Sequence, residues 1–101
     1  MDMKKMMKQA QKMQRDAAAA QQEIAAMTFE ASAGGGMVKA TATGEMAITD
    51  ITIDPAAVDP EDVEMLQDMV VAAVNEALRA ASEAANARMN AVMGGMKIPG
   101  L

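Results

Sequence analysis

The sequence contains no cysteine, histidine, tryptophan or tyrosine, and its only aromatic residue is Phe29. Without cysteine the chain has no disulfide, no thiolate metal ligand and no cysteine nucleophile. Without histidine, the serine and threonine hydroxyls lack the side chain that most often serves as their general base. These absences predict a protein that is not an enzyme, with no cofactor and no small-molecule substrate.

Long hydrophobic runs are also missing. No apolar stretch approaches the roughly 18 residues of a membrane-spanning helix. The sequence begins Met1-Asp2-Met3-Lys4-Lys5, which lacks the apolar segment of a secretory signal. We therefore expect a cytoplasmic protein with no membrane partner.

Methionine and alanine are abundant instead. Thirteen of the 101 residues are methionine, whose flexible thioether fills irregular gaps in cores and adapts to partner surfaces. A domain of this length buries only about two-thirds of the surface that its unfolded chain exposes, and alanine side chains remove little apolar area from water. The core of one chain should be thin, so we expect association with a second copy.

Charge is distributed unevenly along the chain, whose formal net charge is −5. Residues 1–15 carry five basic side chains against Asp2, a net charge of +4, whereas residues 45–68 carry eight acidic side chains and no basic one, a net charge of −8. The protein should therefore have a basic end and an acidic end. The acidic run lacks the spaced oxygen ligands and central glycine of a calcium loop, so we interpret it as helix capping and a solvated face and expect no metal.

Apolar residues recur every three or four positions from Met3 to Met27, a pattern that predicts one long amphipathic helix, an arm within residues 1–27. Helical rotation places five basic side chains together on the opposite face, the basic stripe: Lys4, Lys5, Lys8, Lys12 and Arg15. Lysines there oppose the helix dipole and repel one another, at a cost of a few tenths to about 1 kcal/mol each. The stripe is therefore a candidate phosphate-binding surface; the alternative is a face that serves only solubility.

Residues 28–54 are predicted to form a three-stranded antiparallel sheet. Apolar and polar residues alternate from Met27 to Ala33 and again from Met37 to Thr43, as in half-buried strands. Between them Gly34-Gly35-Gly36 permits the positive φ angles of a tight reversal.

The third strand follows a turn at Gly44-Glu45 and contains Met46, Ile48, Ile51 and Ile53. Met46 and Ile48 share one phase of the alternation, whereas Ile51 and Ile53 share the other. This slip near Thr49-Asp50 predicts a β-bulge.

A second long helix is predicted over residues 59–93. Asp59-Pro60-Glu61-Asp62 supplies an N-cap, a proline at the first helical position and acidic residues in the first turn, and Gly94-Gly95 ends the helix. Residues 94–101 are predicted to be a mobile tail, in which Lys97 adds positive charge. Arg88 lies toward the apolar side of this helix, where it either extends along apolar surface or reaches a phosphate.

Several segments resemble, in order, the YbaB/EbfC family of bacterial nucleoid-associated proteins. They are Met6-Met7-Lys8-Gln9-Ala10-Gln11-Lys12-Met13-Gln14, the glycine-rich hairpin with Val38-Lys39, Ile53-Asp54-Pro55, Ala72-Ala73-Val74-Asn75 and Met93-Gly94-Gly95-Met96. The resemblance covers nearly the whole chain and implies a single α+β domain over residues 1–101, in the order α-β-β-β-α. It further implies a homodimer formed through the sheet region, with projecting helical arms that bind double-stranded DNA.

We therefore expect a nucleoid-associated homodimer that serves nucleoid organisation or gene regulation. Binding should be largely non-specific, because the chain lacks the aromatic residues that stack on bases and a cluster of arginine and asparagine that reads base edges. The expected DNA contacts are Lys4, Lys5, Lys8, Lys12, Arg15, Lys97 and Arg88. The expected core or dimer interface comprises Phe29, Val38, Ile48, Ile51, Ile53, Leu66, Val70 and Val74. The alternative hypothesis is a dimeric protein-interaction module whose methionine-rich arms grip a protein partner without binding DNA.

Overall fold

The chain folds in the predicted order, helix, three strands and helix. The structure, a computed structural model, describes residues 2–93. Its elements are α1 (Met3–Ala26), β1 (Thr28–Ala33), β2 (Val38–Thr43), β3 (Ile48–Ile53), a short 3₁₀ helix (Pro55–Ala57) and α2 (Val63–Met93). The predicted α+β class is thus confirmed. Across residues 2–93, neither long helix combines the length and the hydrophobicity that a membrane crossing requires.

Helix α1 projects from the body of the molecule. Asp2 caps it, its carboxylate accepting a hydrogen bond from the backbone N–H of Lys4 at 3.0 Å. The helix ends one residue before the predicted boundary, because Met27 is already extended and acts as the C-cap. Only Ala20 and Ile24 are buried, whereas residues 2–12 are exposed at every position. The N-terminal half of α1 is therefore an arm on a molecule 71 Å long.

The core lies between the sheet and α2. The sheet is antiparallel with β2 in the centre, in the order β1-β2-β3. Alternation along β2 sends every second side chain to one face, and that face meets the buried stripe of α2. The fully buried residues of this contact are Val38, Ala40, Ala42, Ala73, Ala77 and Ala81. Five of these six side chains are methyl groups, so helix and strand approach closely but bury little area.

Both predicted reversals in the sheet are present. Gly34, Gly35 and Gly36 all have positive φ, 63°, 68° and 92°, which suits glycine and joins β1 to β2. Met46 also has a positive φ, 64°, and lies in the turn between β2 and β3. The prediction that Met46 belongs to the third strand was therefore wrong, since the turn is longer than Gly44-Glu45 and β3 begins at Ile48.

The β-bulge is confirmed at Thr49. Thr41 pairs with Asp50 and the next residue, Ala42, pairs with Ile48, so Thr49 is the extra residue on β3. Because of this insertion, side chains on both sides of the bulge face the same way as the buried side chains of β2.

Helix α2 begins at Val63, four residues later than predicted. The Asp59 carboxylate accepts from the backbone N–H of Glu61 at 2.9 Å, and its carbonyl accepts from that of Asp62 at 3.0 Å. Asp59 therefore organises a turn, and Asp62 takes the capping position, accepting from the backbone N–H of Met65 at 3.2 Å. The predicted helix stop at Gly94-Gly95 and the predicted mobile tail, residues 94–101, lie outside the described residues.

Gly44 is where the end of α1 meets the sheet. Its backbone N–H donates to the Met27 carbonyl at 3.1 Å, and a Cβ at this position would overlap the carbonyl oxygen of Ile24. The base of the arm thus rests directly on the turn after β2, at a distance that only glycine allows.

We predict that Gly44→Ala lowers the free energy of unfolding by about 3 kcal/mol, the upper end of the usual cost of overpacking, because the obstacle is backbone. Urea denaturation followed by circular dichroism measures this. Gly35→Asn is the control, since Gly35 has open space around it and a φ of 68° that asparagine tolerates. Equal stability of Gly44→Ala and the wild type would contradict the close contact.

Candidate nucleic-acid interface

The basic stripe lies on the projecting half of α1. All five of its side chains are exposed. Helical geometry places Lys4, Lys8 and Arg15 opposite the side that carries Ala20 and Ile24, and Lys5 and Lys12 at the flank. From Lys4 to Arg15 the stripe extends for about 17 Å at about 1.5 Å per residue, about the length of duplex axis that five base pairs occupy. Its length and exposure suit contact with a phosphate backbone.

None of these five residues forms an ion pair within residues 2–93.

The two arginines of α2, by contrast, both form ion pairs. Arg79 lies between Glu76 and Glu83 and forms ion pairs with both. Its hydrogen bond to Glu76 lowers the pKa of Glu76 and raises that of Arg79. The stabilisation that Glu76 contributes is thus complete at neutral pH and is lost as the pH falls through its lowered pKa. The charge of Arg79 is therefore compensated by two acidic side chains, whereas the charges of the basic stripe have no such partners within residues 2–93.

Arg88 connects the two helices. Its Nε donates to the Glu23 carboxylate at 2.9 Å, the one ion pair among residues 2–93 that joins α1 to α2. No local sequence pattern indicates this pair, since its members are 65 positions apart. The contact supplies a structural role for Arg88, and its assignment to DNA stays a prediction. Lys97, the remaining predicted contact, lies outside the described residues.

The loop of residues 54–62, which carries four of the acidic side chains, lies at the other end of the sheet from the arm. The backbone N–H of Asp54 donates to the carbonyl of Met37, at the start of β2, at 2.8 Å, whereas α1 ends beside Gly44, after β2. The loop of residues 54–62 and the arm therefore adjoin opposite ends of the central strand. Among residues 2–93, no three acidic side chains are arranged to hold a metal ion. The acidic side chains of residues 54–62 are therefore distant from the arm, whereas Glu45 follows Gly44 and lies near the base of the arm.

The predicted core or interface residues separate into two groups. Val38 is fully buried, and five others are half-buried against the same core: Phe29, Ile48, Leu66, Val70 and Val74. Ile51 and Ile53 are 41% and 38% exposed. Ile51 pairs with Ala40 and Ile53 with Val38, so both isoleucines face the side of the sheet on which α2 packs. Helix α2 packs on β1 and β2 and leaves β3 largely uncovered.

The model of the family described as "YbaB/EbfC DNA-binding family" matches residues 1–96. A "Nucleoid-associated protein" of Acetivibrio thermocellus is 57% identical over 97 residues, covering 95% of this chain and 86% of the relative. Another protein with that name, from Moorella thermoacetica, is 56% identical over 99 residues, covering 98% of this chain and 95% of the relative.

A solved structure has the same fold. The uncharacterized protein HP0035 from Helicobacter pylori superposes with a TM-score of 0.73 at 23% identity, covering 96% of this chain and 99% of that chain. At this identity the likeness concerns the fold alone.

We predict that reversing either charge of the pair that joins the helices, Glu23→Arg or Arg88→Glu, lowers the free energy of unfolding by about 0.5–1 kcal/mol, because each places like charges together at a partly exposed site. The double variant, with the charges exchanged, should recover most of the loss. A double-mutant cycle in urea measures the coupling. Strictly additive losses would show that the pair contributes nothing.

Proposed function

Since the chain belongs to the YbaB/EbfC DNA-binding family, we propose that it binds double-stranded DNA as a homodimer, mainly through phosphate contacts made by the basic stripe. The observation that carries this proposal is the set of five exposed basic side chains, without ion pairs inside residues 2–93, on one face of a projecting helix. The names of the relatives support a place in the nucleoid, with a role in nucleoid organisation or gene regulation.

Electrostatics account for binding in spite of the acidic total charge. Residues 1–15 carry a net charge of +4, so the rest of the chain carries −9, which gives the total of −5. At physiological salt, interactions between exposed charges are screened beyond about 8 Å. A phosphate at the arm therefore interacts chiefly with the stripe. Two copies offer ten basic side chains, enough for non-specific dissociation constants of roughly 10⁻⁴ to 10⁻⁶ M at physiological salt.

Sequence preference should be weak. Lysine ammonium groups on flexible stems act as point charges on phosphates, and phosphate contacts fix position without reading bases. The stripe contains one arginine, Arg15, and no asparagine, so it has little capacity for bidentate contacts to base edges.

The uncovered side of β3 supports the homodimer. Ile51 and Ile53 continue the apolar face of the sheet beyond the area that α2 covers, and β3 is an edge strand with unpaired backbone groups. A second copy related by a two-fold axis would bury Ile51 and Ile53 of both subunits. This would enlarge a core that is otherwise made largely of alanine. We assign dimer contact to Ile51 and Ile53, and the other six predicted residues to the core of the subunit.

The DNA contacts are tested by fluorescence anisotropy with a labelled random duplex over a salt series. We predict a linear decrease of log K with log salt, with a slope of about −4.5 or steeper, since each neutralised phosphate contributes about 0.9 and one arm offers five contacts. The variant Lys5→Glu/Lys8→Glu/Lys12→Glu should bind at least about 100-fold more weakly at low salt.

The matched control compares Lys8→Glu with Lys39→Glu, which makes the same charge change at an exposed position in β2, away from the arm. The Lys8 change should weaken binding several times more than the Lys39 change. Equal losses would contradict a stripe-mediated contact and indicate a response to total charge.

The dimer is tested by sedimentation velocity. We predict that Ile51→Glu/Ile53→Glu converts a dimer into a monomer, because burying two carboxylates at the interface costs far more than the contact gains. Thr52→Glu is the control, since Thr52 lies between these residues on the same strand but faces the other side of the sheet. A dimer that survives the double change would place the interface elsewhere.

A further inference from the structure

Arg88 lies on the line of α2 that packs inward. Helical rotation places it within about 20° of Ala77 and Ala81, which are fully buried against the sheet. Arg88 is two turns beyond Ala81, where its partner is α1. An apolar residue would continue the line, as Val92 does one turn later. A charged residue at such a position breaks the pattern that builds the core, and breaks of this kind are expected at functional sites.

The guanidinium of Arg88 reaches a side of α1 that also carries part of the basic stripe. Its Nε donates to the Glu23 carboxylate at 2.9 Å. Lys5, Lys12 and Glu23 project from α1 within about 20° of one another, because their separations of 7 and 11 residues are close to whole numbers of turns. Glu23 is about 16 Å along the helix from Lys12. Arg88 therefore lies in line with one flank of the stripe, beyond its end.

The pair of Arg88 and Glu23 is open to solvent. Their side chains are 40% and 52% exposed, so an oxygen of a phosphate can approach the guanidinium without leaving either charge buried and unpaired. The N–H donors of arginine form a fork that suits phosphate as well as carboxylate. A phosphate that reaches Arg88 meets the like charge of Glu23 at close range. Binding of the phosphate is therefore favoured when the carboxylate moves away.

We propose that Glu23 is an internal competitor for Arg88: it holds the arginine in the free protein, and a phosphate of the DNA backbone replaces it in the complex. This inference rests on the proposed DNA binding and extends the contact surface from α1 to α2. The ion pair and the bound DNA are then reciprocally linked. The pair lowers the affinity for DNA, and DNA in turn releases α1 from its ion pair with α2.

A double-mutant cycle on DNA binding tests the competition. By fluorescence anisotropy with a random duplex at low salt, Glu23→Gln should bind about threefold more tightly than the wild type, a factor on the scale of one exposed ion pair. In the Arg88→Gln background the same change should have almost no effect. A pair that only braces the arm predicts the opposite sign, because its loss would loosen the binding surface. Weaker or unchanged binding by Glu23→Gln would overturn the proposal.

Asp16→Asn is the matched control for charge. Asp16 lies on the same flank of α1, two turns before Glu23, and forms no ion pair within residues 2–93. Any gain in affinity from this change should be the same whether residue 88 is arginine or glutamine, because Asp16 does not act through Arg88. A gain from Glu23→Gln that is likewise independent of residue 88 would show a response to total charge and overturn the proposal.

NMR of the arginine Nε–H groups observes the exchange directly. The sequence has three arginines, of which Arg79 is paired with two carboxylates of its own helix. Adding the duplex should shift the Nε resonance of Arg88, identified by its loss in Arg88→Gln, and leave that of Arg79 unchanged. If DNA binds and the Arg88 resonance does not move, the competition fails and the proposed function stands. If neither the wild type nor Glu23→Gln binds the duplex, the proposed function fails and the competition fails with it.

Discussion

The contact between the alanines of β2 and those of α2 is the constraint on which the rest of the structure depends. Ala40 and Ala42 meet Ala73, Ala77 and Ala81 with no accessible surface left on any of them. Methyl groups permit this close approach but bury little apolar area each. Helix α2 packs on only two strands and leaves β3 largely uncovered. The resulting core buries too little apolar surface to give the single chain much stability. A second copy at Ile51 and Ile53 would repair both deficits.

The arm follows from the same arrangement. Because α2 is occupied by the sheet along its first half, α1 can contact it only further on, where Glu23 pairs with Arg88. The first ten residues of α1 therefore extend past the packed region, with the basic stripe on one side and the exposed side chains of Met3, Met6 and Met7 on the other.

Much of the fold could be predicted from local sequence patterns. The order of elements and the bulge at Thr49 follow from hydrophobic periods of 3.6 and 2, which neighbouring residues define. The start of α2 was misplaced because Asp59 and Asp62 are equally good caps, and only the turn built by Asp59 selects the second. The pairing of Arg88 with Glu23 and the exposure of Ile51 depend on which elements meet in three dimensions, which local patterns do not encode.

Contact between DNA and the basic stripe can be mapped by lysine footprinting. The protein is acetylated briefly with and without a random duplex, and each lysine is quantified by mass spectrometry. We predict that the duplex protects Lys4, Lys5, Lys8 and Lys12, while Lys39, exposed on the sheet, reacts at an unchanged rate. Protection of Lys39 with unprotected stripe lysines would contradict it.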